Sequence, residues 1–253
     1  KNDRTDRKDG HPMKKGDARR QAILETAERL FFEKGYEETA LQDILDEMAL
    51  SKGGFYHHFE SKLQLLEAIC AARAQGMCVR GVEAAKAAGD DPVRQLNALL
   101  REGGFFGEKS IKYVSLMLKT AYGGTLSQLR ERMRETMIEQ FEAPLGQILL
   151  SGIKREIFYV SRPASKPRLL LLLASDETDE VAFLMAKPQQ GVSEMSAMVD
   201  LLDAYRRAVE LMICAPFGSV QLIDAHRIIE LLRSLSILNG QNANIYDPWN
   251  QLA

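Results

Sequence analysis

The chain has 253 residues, 45% apolar and 27% charged, which is typical of a globular protein and unlike a disordered or fibrous one. Its formal net charge of −2 gives no overall attraction to a polyanion, so any nucleic-acid site must be local. The longest apolar run, residues 169–174, is far shorter than the roughly 20 residues that cross a bilayer, and no signal-peptide pattern opens the chain. We therefore expect a cytoplasmic protein with no membrane partner.

Two helices are predicted in the first fifty residues. Asp17 can cap the first helix, whose apolar residues recur at helical spacing, and Gly35 is placed to end it in a left-handed conformation. Thr39 and Gln42 have the spacing of a capping box, in which each side chain bonds the other residue's backbone N–H. This box predicts a short second helix that ends near Met48.

A third helix is predicted after a turn of only two residues. Ser51 can cap it, and the segment then runs from Lys52 to Phe59 with two glycines in its first turn. Each glycine costs about 1 kcal/mol relative to alanine, so something other than helix propensity favours a bare backbone there. A second capping box beginning at Ser61 predicts a fourth helix that extends to about residue 80.

The rest of the chain also has helical periodicity, and the alternating pattern of β-strands is hard to find anywhere. Further helices are predicted to begin near Pro92, Thr125, Leu169, Val192 and Leu222. Pro144 falls inside the second of these, where we expect a kink or a break. The sequence therefore predicts an all-α protein.

The second and third helices, over residues 40–59, have the spacing of a helix-turn-helix. Phe55 and Phe59 form the apolar stripe of the third helix. The other faces of this helix carry a cation, a phenol ring and an imidazole: Lys52, Tyr56 and His57. Spacing alone leaves both DNA binding and docking onto a protein partner open.

Two glycines and a lysine could bring this helix close to an anion. Gly53 and Gly54 would let the N-terminus of the third helix, the positive end of its dipole, approach a phosphate or a base edge. Lys62 would add a positive charge at the start of the fourth helix.

Residues 20–69 carry a continuous set of these features, namely the end of the first helix, the capped turn and the aromatic third helix: Leu30-Phe31-Phe32-Glu33-Lys34-Gly35-Tyr36, Thr39, Ile44-Leu45, Leu50-Ser51-Lys52-Gly53-Gly54-Phe55-Tyr56-His57-His58-Phe59 and Ser61-Lys62. This set resembles the N-terminal segment of the TetR family of dimeric transcriptional repressors. The remainder of the chain resembles the family only in being helical and of suitable length.

The resemblance implies that the third helix enters the major groove of double-stranded DNA. It implies that Tyr56 and Lys62 bind phosphates and that Thr39 contacts the DNA backbone from the second helix. It places four further residues against bases or phosphates: Lys52, Gly53, Gly54 and His57. It also implies that the protein binds a palindromic operator as a homodimer. The homodimer is expected to leave the operator when a small-molecule effector binds the C-terminal part.

The charge of the helix-turn-helix segment does not favour DNA over a protein partner. Residues 14–62 contain eight Lys or Arg and ten Asp or Glu, which keeps an all-α scaffold that binds protein as the alternative function. If DNA is the partner, three acids must face away from it: Asp43, Asp46 and Glu47. The cluster Lys14, Lys15, Arg19 and Arg20 could follow a phosphate strand or reach a minor groove, whereas a solvated arm is the alternative for residues 1–12.

Four regions are predicted: a charged arm at 1–16, a helix-turn-helix DNA-binding domain at 17–64, a helical ligand-binding and dimerisation bundle at 65–240, and a polar tail at 241–253. Tyr113, Met117 and Phe141 are predicted to line a pocket for a hydrophobic or aromatic effector, with ordinary core packing as the alternative. The apolar helices at 169–186 and 195–212 are predicted to form the dimer interface.

No catalytic residue, metal site or cofactor is expected, because no nucleophile elbow, phosphate loop or zinc motif is present. The three cysteines are predicted to be small buried hydrophobic residues: Cys70, Cys78 and Cys214. Closely spaced acids of a late helix are predicted on a solvated face: Asp176, Asp179 and Glu180.

Overall fold

A computed structural model of the protein describes residues 15–103, 127–185 and 192–221. Those ranges contain helices only, which confirms the all-α class. The helices are α1 Lys15–Lys34, α2 Leu41–Glu47, α3 Lys52–Tyr56, α4 Lys62–Ala87, α5 Pro92–Gly103, α6 Ser127–Lys154, α7 Lys166–Met185 and α8 Val192–Ile213, with a 3₁₀ turn at Pro163–Ser165. The chain forms two compact units, the first ending at Ala68 and the second beginning at Ile69, within α4.

Side chains from α1, α2, α3 and the start of α4 form the core of the N-terminal unit. Its largest fully buried members are Ile23, Phe31, Ile44, Leu45, Phe55, Phe59, Leu65 and Leu66. Burial of each such side chain contributes about 1.5 to 3 kcal/mol, enough to hold a five-residue helix that would not form alone. The core therefore holds α3 in place and fixes which face of it remains exposed.

The predicted turns at both ends of α2 are present. Gly35 ends α1 with a φ of +96°, a conformation that glycine adopts without strain. Ala49 takes a φ of +48° after α2, and the Leu50 backbone N–H donates to the Leu45 carbonyl at 2.9 Å. This bond closes a tight turn, so α3 begins only five residues after α2 ends.

Several predicted helix boundaries were wrong. The helix α3 ends at Tyr56 rather than Phe59, because the His58 and Phe59 backbone N–H groups both donate to the Phe55 carbonyl and close a turn. Asp17 lies inside the first described turn of α1 rather than before it, and α4 continues to Ala87, seven residues beyond the prediction.

The helix α6 runs through Pro144 without a break, so the prediction that the helix could break at this proline was wrong. The helix α7 begins at Lys166, three residues before the predicted start at Leu169. The predicted helix that begins at Leu222 lies outside the described residues.

Glycines allow close helix crossings in the C-terminal unit. A Cβ atom added to Gly81 would lie 2.8 Å from the Leu99 carbonyl oxygen, and one added to Gly103 would lie 2.5 Å from the Phe141 ring. The helices α4, α5 and α6 therefore meet at residues without side chains. Within the described part of the chain, no helix combines the length and hydropathy that crossing a membrane requires.

Two of the three cysteines are buried as predicted, and one is not. Cys70 and Cys78 lie in the interior of the C-terminal unit, where the Cys78 thiol donates to the Gln140 carbonyl at 3.1 Å. Burial raises the pKa of the Cys78 thiol, which keeps it protonated. Cys214 is exposed, because it follows the end of α8 in a left-handed turn with a φ of +51°.

Candidate nucleic-acid interface

The helix α3 separates into a buried face and an exposed face. Phe55 and Phe59 are buried, with ring centroids 5.9 Å apart. Tyr56 has 54% of its surface exposed. Lys52, Gly53 and His57 are exposed beside it. The structure therefore brings a cation, a phenol and an imidazole onto one accessible surface, which we call the α3 face and define as Lys52, Gly53, Tyr56 and His57.

Capping residues fix the start of α3 and of the following helix. The Ser51 hydroxyl accepts from the Gly54 backbone N–H at 3.1 Å, as predicted. Likewise the Ser61 hydroxyl accepts from the Gln64 N–H at 3.0 Å. The Gln64 side chain in turn accepts from the Glu60 N–H at 2.6 Å, one residue earlier than a standard capping box would place it.

The two glycines of α3 have different reasons to lack a side chain. A Cβ atom on Gly54 would lie 2.7 Å from the Leu50 side chain, so packing within the turn favours glycine there. A Cβ atom on Gly53 would meet nothing within 4 Å. Among the described residues of the unit, no packing contact explains Gly53, although glycine costs about 1 kcal/mol in a helix. Its bare backbone is accessible to an external partner.

The predicted role of Thr39 at the helix start was wrong. The helix α2 begins one residue later than the box requires, with Ala40 as its N-cap, and the Asp43 carboxylate accepts from the Ala40 N–H at 2.9 Å. Thr39 is fully buried, and its hydroxyl donates to the Gly35 carbonyl at 2.7 Å. Its side chain therefore ties the turn to the end of α1 and presents no hydroxyl to DNA, contrary to the resemblance.

Lys62 is engaged inside the unit instead of projecting freely towards a phosphate. Its ammonium donates to the Tyr36 carbonyl at 2.8 Å and to the Thr39 carbonyl at 3.1 Å, with the Glu37 carbonyl at 3.4 Å. The same nitrogen lies 4.3 Å from the centre of the Tyr36 ring. Lys62 therefore links the start of α4 to the segment between α1 and α2, and it acts as a positioning residue for the helix-turn-helix.

A matched pair of lysine substitutions tests this assignment. Lys62→Met removes the ammonium that donates to three backbone carbonyls, so we expect the free energy of unfolding to fall by about 1 to 3 kcal/mol in chemical denaturation. Lys52→Met removes an exposed lysine from the α3 face, so stability should change by less than about 0.5 kcal/mol while affinity for DNA falls. If Lys62→Met leaves stability unchanged but weakens DNA binding, Lys62 contacts a DNA phosphate and is not a positioning residue.

Acidic residues of α2 pair with cations of α1. Glu47 forms an ion pair with Arg29, and Asp43 lies 3.5 Å from the Lys34 ammonium. The third acid, Asp46, accepts from the Gln42 side-chain amide at 2.6 Å. These pairings turn Asp43 and Glu47 towards α1, so the negative charge counted in the sequence is partly neutralised within the unit.

Arg20 is a further cation of this surface. It lies within α1 and not on a basic arm, and its guanidinium stacks 4.9 Å from the centre of the Phe59 ring. Phe59 lies three residues after the end of α3, so this contact brings a second cation to the same part of the unit. Its signal in the sequence was the helical register of α1, which places residues 20, 23 and 27 on related faces.

The predicted effector pocket lies largely outside the described residues. Tyr113 and Met117 fall in residues 104–126, which the structure does not describe. Phe141 is buried and its ring packs against Gly103. This contact agrees with the core-packing alternative for Phe141, and the pocket stays a prediction.

The acids predicted on a solvated face of α7 behave in two ways. Asp176 and Glu180 are exposed as predicted. Asp179 is half-buried, and it accepts from the Arg134 guanidinium at 2.5 Å. The prediction was therefore wrong for Asp179, because α6 packs against that side of α7.

Comparison with known proteins agrees with this geometry. Residues 23–69 match the family model for bacterial regulatory proteins of the tetR family. An HTH-type transcriptional regulator of Bacillus subtilis, YerO, is 44% identical over 52 residues, which is 21% of this chain and 18% of that protein. The transcriptional repressor KstR2 of Mycolicibacterium smegmatis is 36% identical over 52 residues, 21% of this chain and 25% of that protein.

The similarity to a solved structure extends further along the chain. A TetR-family transcriptional regulator from Pectobacterium atrosepticum superimposes with a TM-score of 0.57 and 20% identity, over 81% of this chain and all of that one. At this identity the match shows a shared fold. By sequence, the matched segment spans only about a fifth to a quarter of the relatives' length.

The N-terminal unit is thus a helix-turn-helix domain of the kind that bacterial DNA-binding regulators carry. Residues 23–69 match the tetR family model, which confirms the resemblance found in the sequence.

Proposed function

We propose that this protein is a sequence-specific DNA-binding transcriptional repressor whose α3 face enters the major groove. The observation that carries this proposal is the α3 face itself, where exposed Lys52, Tyr56 and His57 surround a glycine that the fold does not require. Donors and an aromatic ring on a short capped helix suit contacts with phosphates and base edges. The ion pairs between α1 and α2 support it further, because they draw acidic side chains away from a polyanion.

The active form in this proposal is a homodimer on a palindromic operator. One α3 face reads only a few base pairs, whereas two faces related by a two-fold axis read a palindrome. The helices α7 and α8 carry the predicted interface, and exposed apolar side chains on them support this assignment: Leu169, Phe183 and Leu211. A small-molecule effector held in the C-terminal unit would release the operator by favouring a state that does not bind DNA.

Selection of bound duplexes from a random DNA pool tests the proposal. The purified chain is expected to enrich a palindromic motif, and Tyr56→Ala is expected to weaken binding to that motif at least tenfold. Tyr159→Ala is the matched control, because Tyr159 is a similarly exposed tyrosine in the C-terminal unit. If folded protein enriches no motif at low salt, the proposed function is wrong.

Salt dependence separates DNA binding from the alternative of a protein-binding scaffold. Contacts with phosphates release counterions, so we expect the logarithm of the affinity for the selected duplex to fall linearly with the logarithm of the salt concentration. An apolar protein interface would respond weakly to salt. Fluorescence anisotropy measures the affinity for the duplex at salt concentrations from about 50 to about 300 mM, where phosphate contacts make the affinity fall steeply.

A further inference from the structure

The C-terminal unit buries two glutamates that differ in their partners. Glu177 on α7 and Glu210 on α8 are each 1% exposed. Glu210 accepts from the Arg206 guanidinium at 2.9 Å and from the Val220 backbone N–H at 3.2 Å. Neither carboxyl oxygen of Glu177 has a hydrogen-bond partner among the residues that the structure describes. The fold thus satisfies one buried acid and leaves the other unsatisfied.

Glu177 lies on the inward face of α7 among apolar residues. Leu170 and Val181, seven residues before it and four after it, are both buried, and helical periodicity places all three on one face. An unpartnered polar group is costly in an apolar interior, and native proteins keep few of them. This position therefore requires an explanation that packing does not supply.

Polar side chains on the two helices that pack against α7 form hydrogen bonds with other acids of α7, although the buried Arg134 Nε has no hydrogen-bond partner among the described residues. The Tyr205 hydroxyl on α8 donates to the Asp176 carboxylate, and the Arg134 guanidinium on α6 donates to Asp179. Burial, the bond to Asp176 and the charges of nearby carboxyl groups, including that of Glu177, raise the pKa of Tyr205. The Tyr205 hydroxyl is thus directed to Asp176 and not to Glu177.

We propose that Glu177 anchors a small organic cation inside the C-terminal unit, with its carboxylate accepting from a protonated amine while the apolar face of α7 contacts the ligand body. A bond between two charged groups in an apolar interior is stronger than a neutral one, which favours a cation over a neutral donor. The same carboxylate would repel anionic ligands. This inference rests on the proposed function, in which the bound ligand is the effector, and it specifies that the effector is positively charged.

A change in protonation of Glu177 accompanies binding. Burial raises the pKa of the Glu177 carboxyl to about 8, so the group is mostly protonated at pH 7 before the ligand arrives. Pairing with an ammonium requires the carboxylate, so the carboxyl O–H bond breaks and its proton passes to the buffer. The charged or titratable groups of this part of the unit are on three helices. Tyr205 on α8 is coupled electrostatically to Asp176, Glu177 and Glu180 on α7, and Arg134 on α6 is coupled to Glu131, Asp176 and Asp179.

Isothermal titration calorimetry of the full chain at pH 7 tests the proposal with two matched pairs of probes. The pairs are 1-naphthylmethylamine with 1-naphthalenemethanol and decylamine with decanol, each measured in phosphate and in HEPES. Comparison of the two buffers reports protons released on binding. We expect each amine to bind at least tenfold more tightly than its alcohol and to release close to one proton.

Two glutamine variants complete this experiment. Glu177→Gln is expected to lose the amine preference and the proton release while binding the alcohols as before. Glu180→Gln makes the same change one turn further along α7 at an exposed position, and it should behave as the wild type does. The amine preference and proton release of the wild type are measured without any variant, so a poorly folded Glu177→Gln protein does not prevent a decision.

Three results would overturn the cation site. They are equal affinity for amine and alcohol, an amine preference that survives Glu177→Gln, and no binding of either pair by folded wild-type protein. Binding to the selected duplex is measured on the same preparations. A chain that binds DNA but no amine refutes the cation site alone, and a chain that binds amines but no DNA refutes the proposed function alone.

Discussion

Gly53→Ala is expected to make the protein more stable and at the same time a weaker DNA binder. A Cβ atom at this position meets nothing within 4 Å, so the substitution introduces no clash. Alanine in place of a helical glycine should raise the free energy of unfolding by about 0.5 to 1 kcal/mol. The added methyl group projects from the α3 face, where it would hold the backbone away from DNA. We expect affinity for the selected duplex to fall at least tenfold.

A second glycine provides the control for this experiment. Gly76 lies within α4, and a Cβ atom there would make only an ordinary contact, 3.5 Å from the Arg80 side chain. Gly76→Ala should therefore stabilise the protein to a similar degree without changing DNA affinity. Thermal unfolding and fluorescence anisotropy on all three proteins give both quantities. If Gly53→Ala binds DNA as tightly as the wild type, the α3 face does not approach DNA at this residue.

Glu177→Gln is expected to flatten the pH dependence of stability. Burial raises the pKa of the Glu177 carboxyl in the folded protein to about 8, against 4.5 in the unfolded chain. Between these values the folded state binds more protons than the unfolded state, so stability falls as pH rises. Titration of Glu177 lowers the free energy of unfolding by about 3 kcal/mol between pH 4.5 and pH 7, and the decrease continues up to about pH 8.

Chemical denaturation at pH 5, 6, 7 and 8 measures this effect as the difference between wild type and variant. Glutamine does not titrate, so the advantage of Glu177→Gln over the wild type should grow steadily with pH. Glu210→Gln is the contrasting buried variant, because it removes a carboxylate that Arg206 and Val220 hold by hydrogen bonds. That variant is expected to be less stable at pH 7. Parallel pH profiles for wild type and Glu177→Gln would contradict the raised pKa.

The contrast between Ser51 and Thr39 shows how far local sequence decided the structure. Ser51 caps α3 through an N–H three residues later, and the capping pattern predicted this bond because both partners lie in one short segment. Thr39 has the same kind of hydroxyl beside a predicted helix start. Its hydroxyl bonds instead to the carbonyls of Gly35 and Leu30, because α2 begins one residue later and the side chain is buried against α1.

By itself, the sequence determined the all-α class, the tight turn before α3, the exposed face of α3 and the resemblance of the N-terminal segment to the TetR family. Each of these depends on residues a few positions apart, whose backbone bonds and helical periodicity act within one segment. Only the tertiary structure decided the role of Lys62, which bonds to carbonyls 23 and 26 residues earlier, and the contrast between Glu177 and Glu210. Packing between helices sets which donors reach a side chain and how much water it loses, and a one-dimensional pattern contains neither quantity.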